Sequence, residues 1–122
     1  MVFYKNDKEY VMSRDLSLFP NDIVGDFLWQ MQQEGHHLEE IKEVEFSVLF
    51  PSQTLALQFG QILLENNQKL SFTPFQDNEE LPWEITAYPE MPLNYDNLTA
   101  YQSLLETSSE PLQGKLDGLY CL

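Results

Sequence analysis

Few residues in this chain have types and spacing that could do chemistry. His36 and His37 stand side by side, with Glu34, Glu39 and Glu40 close by. Imidazole and carboxylate both bind zinc, but a zinc site holds four ligands at recognisable spacing. No cysteine or second histidine group supplies the remainder, so a solvated loop is the plainer reading. A general base needs a reaction partner within hydrogen-bond reach, and none can be named for either imidazole. Cys121 is the one cysteine, near the chain end. A thiol nucleophile wants an orienting base, and a packed end-strand thiol is the simpler reading. Acidic residues are so numerous that pairs such as Glu79-Glu80 arise by chance, here in a turn. Neither a P-loop nor a dinucleotide-binding glycine pattern occurs. The residues therefore point away from an enzyme and predict no metal and no cofactor.

Asp117-Gly118 is the pair of most interest. Glycine in a strand marks a bulge or a tight bend, which is its ordinary reading. Its functional reading is a partner-contact corner, with Tyr120 and Trp83 as aromatic anchors. Trp83 is also a natural core residue.

These residues must be positioned by elements, and the clearest ones begin at Val44. Val44, Phe46, Val48 and Phe50 alternate with Glu45, Ser47 and Leu49, the period of a strand with one face buried. Pro51-Ser52 breaks it and opens a helix. Leu55, Phe59, Ile62 and Leu63 form that helix's apolar stripe, and Asn66-Asn67 ends it. Lys69 to Gln76 follows as a strand, with Pro74 at its edge or end. Asp77 to Glu80 is a turn, and Trp83 to Tyr88 alternates again, giving an antiparallel hairpin. Asn94 caps a further helix, with Leu98, Tyr101, Leu104 and Leu105 buried. Residues 116–122 give a last strand. From Val44 the order is strand, helix, strand, strand, helix, strand. That is a ferredoxin-like α+β arrangement, an antiparallel sheet with helices on one face.

Upstream, Phe19-Pro20-Asn21-Asp22 starts an extra helix over 20–34, with Pro20 at its first position. Ile23, Phe27, Leu28 and Met31 are its stripe, Gly25 allows close packing, and Gly35 stops it. Residues 36–41 read as a polar connector. Residues 1–20 read as an arm or a hairpin about a turn at Asn6-Asp7, preceding a single domain over 21–122 with its core at 43–122.

A chain of 122 residues, 43% hydrophobic and 13% aromatic, is most simply one domain with a real core. Twenty Asp and Glu oppose six Lys and Arg, for a net charge of −14. Such a surface repels nucleic-acid phosphate and anionic lipid, which are recognised through Lys and Arg. It attracts a basic partner protein, although acidity also serves simple solubility. One cysteine fits a reducing compartment. With no signal-peptide start and no run of roughly 20 apolar residues, a cytoplasmic protein without a membrane span is expected.

The order of these pieces resembles the RraB-like family, regulators of ribonuclease E activity B. The resemblance runs from about Glu34 to Tyr120. It rests on Gly35, the strand at 44–51 and the helix carrying Ala56 and Phe59. It continues through Trp83-Glu84-Ile85, the stretch Met91-Pro92-Leu93-Asn94-Tyr95-Asp96-Asn97-Leu98-Thr99-Ala100-Tyr101, Gly114 and Asp117-Gly118. It implies a ferredoxin-like fold and an acidic cytoplasmic protein that binds ribonuclease E and lowers its activity by protein–protein contact. The family's Asp-Gly-Trp-Gly end is here Asp117-Gly118-Leu119-Tyr120, and its named member's acidic tail has no counterpart.

The expected function is thus non-catalytic regulation of RNA degradation by binding ribonuclease E or another basic protein. Two other readings compete with it. One is a small-ligand or sensor domain, the other an accessory protein neutralising a different basic enzyme.

Overall fold

The computed structural model describes residues 2–6 and 9–121, with side chains from Arg14 onward. β1 (Val2–Asn6) and β2 (Glu9–Ser13) pair antiparallel, from Val2 opposite Ser13 to Asn6 opposite Glu9. A hairpin is therefore the observed form of this segment. Of its expected turn, Asp7 lies outside the described residues, as does Leu122 of the expected last strand.

α1 (Ile23–Gln33) begins later than the sequence suggests. Asp22 is its N-cap and accepts a hydrogen bond from the Gly25 N–H at 2.7 Å. Pro20 lies outside the helix rather than at its first position. Its carbonyl approaches so closely that a Cβ on Gly25 would fall 1.7 Å from it. Arg14 fixes this crossing: Nε donates to Phe19 O at 2.8 Å, and Nη2 donates to Pro20 O. Gly35 closes the helix as expected, at φ 87° in the left-handed region. The His36 N–H then returns to Met31 O at 3.1 Å.

The main sheet has the order β5-β6-β4-β8, antiparallel throughout. Its strands are β4 (Glu45–Phe50), β5 (Leu70–Pro74), β6 (Trp83–Ala87) and β8 (Lys115–Tyr120). Phe46, Val48 and Phe50 are essentially fully buried on one face, as their alternation predicts. Residues directly opposite share a face, so Ile85, Ala87 and Leu119 join them. α2 (Gln53–Glu65) lies over the β5–β6 side, and α3 (Tyr95–Ser109) over β4 and β8. Phe50 meets Phe59 of α2 at 5.2 Å between ring centroids, and Phe46 meets Tyr101 of α3 at 4.9 Å. α1 packs against α3 and β8.

The caps are those the residues favour: Ser52 accepts from Leu55 N–H and Asn94 from Asn97 N–H. Three stripes need correction. α1 buries Val24, Gly25, Leu28 and Met31, while Ile23 of the expected stripe is 46% exposed. α2 buries Ala56, Phe59, Gly60 and Leu63, while Ile62 faces outward. α3 buries Leu98 and Leu105, whereas Leu104 is exposed. In each helix the apolar face is narrower than the run of apolar residues on it.

A third sheet, of two strands, pairs β3 (Ile41–Glu43) with β7 (Glu90–Pro92). These segments read as connector and loop in the sequence, because three residues show no period and Pro92 lacks a donor. Among the described residues the architecture is a mixed α+β fold of three α-helices and antiparallel sheets.

Candidate functional site

The Asp117-Gly118 pair is a β-bulge. Ser47 pairs with Gly118 and the next residue, Val48, with Leu116, so Asp117 is the unpaired extra residue of β8. Bulges re-aim the strand that carries them. Beyond this one, Tyr120 pairs with Glu45 on the sheet face away from the helices. Tyr120 is 54% exposed, and its ring lies over Gly118. A Cβ on Gly118 would sit 3.1 Å from the Tyr120 hydroxyl oxygen. The glycine is therefore the bed on which the aromatic ring rests. Asp117 is exposed at the same edge.

Trp83 does not share that corner. It pairs with Phe50, five positions along β4 from the Glu45 that faces Tyr120. An odd separation on a strand puts the two on opposite faces. Trp83 thus lies on the helix-covered face, half-buried and stacked on Phe72 at 5.4 Å with 10° between planes. Of the four expected site residues, the fold gathers Asp117, Gly118 and Tyr120 and sets Trp83 apart as packing.

The open face carries a feature the sequence reading passed over. Glu84 sits opposite Leu49 and Thr73 and takes two hydroxyl donors, Ser47 Oγ and, at 3.3 Å, Thr73 Oγ1. Nearby, Ser71 and Tyr88 share a hydrogen bond of 2.7 Å. Ser47 and Leu49 are only 2% and 3% exposed although they point away from the core. The result is a row of hydroxyl and carboxylate groups across three strands, with the exposed Tyr120 at one corner. The polar alternation Glu84-Thr86 within 83–87 was the available signal.

The histidines lie elsewhere, in a groove of about 780 Å³ beside α1 and the start of α3. Leu18, Phe19, Leu28 and Leu93 supply its apolar lining. Gln32, His36, His37, Glu39 and Asp96 are among its polar groups. His36 Nε2 is 3.8 Å from Glu34 Oε2. The Gln32 Oε1 atom is out of reach of solvent and has no hydrogen-bond partner. Among the described residues no three His, Cys, Asp or Glu side chains gather as metal ligands. Cys121 Sγ donates to Glu43 O at 3.5 Å, and burial pushes its thiol pKa up, away from nucleophilic character.

At the groove's rim the Tyr95 hydroxyl donates to Asp22. That bond, with the Gly25 N–H, holds the Asp22 carboxyl below its ordinary range and lifts the Tyr95 pKa in return. The bond joins the first turns of α1 and α3. Deeper in, burial pushes Tyr101 up to about 12, and its hydroxyl donates to Gln68 Oε1 at 3.0 Å.

Charge is distributed unevenly. Arg14, Lys42 and Lys69 each lie within 4.0 Å of a carboxylate, on Asp26, Glu40 and Glu43 respectively. Most cations with described side chains are thus offset locally. No helix is long and apolar enough to cross a membrane among the described residues.

Comparison with known proteins gives one positive finding. The family model described as regulator of ribonuclease activity B matches residues 21–121, most of the chain. No curated protein and no solved structure matches.

Proposed function

Because the chain belongs to the family of regulators of ribonuclease activity B, we propose that it binds a ribonuclease and modulates RNA degradation by contact alone. The partner is ribonuclease E or a protein with a similarly basic surface. The observation that carries this reading is the open sheet face, where the Asp117 bulge and Gly118 present an exposed Tyr120. Exposed aromatics beside polar, water-excluding neighbours are the usual anchors of protein interfaces. The net charge of −14 supports a basic partner and disfavours direct binding to RNA. The action is non-catalytic and takes place in the cytoplasm.

On this reading residues 21–122 are the regulatory domain, with 1–20 an appended hairpin and arm. The strand order β5-β6-β4-β8, with helices on one face, supports a ferredoxin-like assignment. In the resembling Asp-Gly-Trp-Gly end, Leu119 stands at the tryptophan's position and Tyr120 at the second glycine's.

The deciding experiment is affinity capture of ribonuclease E by the purified chain, paired with a cleavage assay. Stoichiometric protein should slow cleavage, and Tyr120→Ala should weaken capture about tenfold, as removal of an interface anchor does. Cleavage unaffected at stoichiometric protein would reject the proposal.

A further inference from the structure

We propose that the groove beside α1 and the start of α3 is a second recognition site, one that takes an arginine flanked by an aliphatic residue from an extended segment of a partner protein. Three observations converge on it. The lining offers open apolar surface at Leu18, which is 57% exposed, above a floor made by the buried Leu28 and Leu93. An aliphatic side chain laid there covers surface that this chain leaves open. Next, Gln32 lines the groove with an amide oxygen that has no donor. The last torsion of a glutamine is broad, so the amide can turn toward an incoming group. A guanidinium brings five N–H donors in a planar fork and fills such a vacancy better than a single-point donor. Finally, Glu39 and Asp96 line the groove and no lysine or arginine does. His36 and His37 line it too, but the two carboxylates repel an anionic ligand, and a neutral hydroxyl leaves them unused.

The wall made by residues 17–19 is fixed before any ligand arrives. Leu18 and Phe19 N–H groups bond Asp15 O at 3.1 and 2.8 Å, and Ser17 N–H bonds the Asp15 carboxylate at 2.9 Å. Arg14 holds Phe19 O from the other side. A preformed wall spares the ordering cost of binding. At about 780 Å³ the groove exceeds one side chain and suits two or three residues of extended chain.

This inference rests on the protein-binding reading but is tested apart from ribonuclease. The whole chain, ¹⁵N-labelled, is titrated with the blocked dipeptide acetyl-Leu-Arg-amide and with acetyl-Leu-Glu-amide as control. Saturable shifts are expected at the Gln32, His36, Leu93 and Asn97 amides with the arginine peptide alone. Gln32→Leu removes the acceptor, keeps an apolar side chain there, and should weaken binding at least tenfold. Glu39→Gln with Asp96→Asn should weaken it as well. Absence of a saturable shift at these amides overturns the proposal, and so does equal binding by the glutamate peptide or by Gln32→Leu. If ribonuclease is not captured yet the arginine peptide binds as described, the groove stands and only the partner assignment falls. Capture of ribonuclease with an inert groove does the reverse.

Discussion

Two glycines in this chain look alike in sequence and differ in what they tolerate. At Gly25 an added Cβ meets the rigid Pro20 backbone at 1.7 Å, which no rotamer change relieves. Gly25→Ala should therefore lower stability by about 3 kcal/mol, at the upper end of overpacking costs, read from urea unfolding. At Gly118 the obstacle is the exposed Tyr120 ring, which can swing away. Gly118→Ala should cost under about 1 kcal/mol while raising the solvent exposure of Tyr120, read by tyrosine quenching or iodination. If the two substitutions prove equally damaging, the ring is not resting on Gly118. Glu84 makes a related case. Ser47 is 2% exposed and donates to that carboxylate. Glu84→Ala leaves a buried hydroxyl without its acceptor, at about 1–2 kcal/mol. Glu84→Gln keeps an acceptor and should recover most of the loss. A neutral Glu84→Ala in the same denaturation series would place water, not Glu84, on Ser47.

Between elements, the Asp22–Tyr95 bond is the contact most open to a pH test, because it ties the first turns of α1 and α3. Asp22 is held below its ordinary value of 3.8, first by the Tyr95 hydroxyl and then by the Gly25 N–H. A lowered carboxyl pKa stabilises the fold above the unfolded value, and that contribution is lost as pH falls through the folded one. Tyr95 is lifted above 10.0 by the same bond, so its contribution is full below that value and lost as pH rises through the folded one. Tyr95→Phe should accordingly lower the melting temperature by a constant amount between about pH 4 and 10. The difference should shrink in acid, and reverse in strong alkali where the ionised phenol repels Asp22. Equal melting temperatures for the two at every pH would mean that ring packing, which Phe retains, and not the bond holds the helices together. At this scale the sequence was legible wherever a period or a cap ran long enough. The β4 alternation, the Ser52 and Asn94 caps, the Gly35 stop and the hairpin at 70–87 all follow from local chemistry. The β3–β7 ladder did not, since each strand is too short to show alternation. Nor did the placement of Ile62 and Leu104, because a helix stripe rich in apolar residues does not say which of them meets the sheet. The candidate corner was half legible. Asp117-Gly118 announced a bulge, but only the register showed that Trp83 and Tyr120 face opposite ways.

For the molecule as a whole, charge and shape make separable contributions to binding. The two acidic and two basic residues among positions 1–13 cancel, so the excess of acid lies on the rest of the chain. A field of that size steers a basic partner over distances comparable to the Debye length, about 8–10 Å at physiological salt, and is screened as salt rises. Steering acts on the association rate, whereas a desolvated anchor acts on dissociation. The two therefore predict different kinetic signatures for one complex. Raising salt from about 50 to 300 mM should slow association with ribonuclease E by roughly tenfold and leave dissociation nearly unchanged. Tyr120→Ala should speed dissociation by about tenfold at any salt and leave association alone. Trp83→Ala should instead cost roughly 2 kcal/mol of folding stability through its lost stacking on Phe72, with kinetics unchanged wherever the variant is folded. Surface plasmon resonance across a salt series separates these cases. An association rate indifferent to salt would show that the acidity serves solubility and not the encounter. A dissociation rate that responds to Trp83 and not to Tyr120 would move the interface from the open sheet face to the edge near β5.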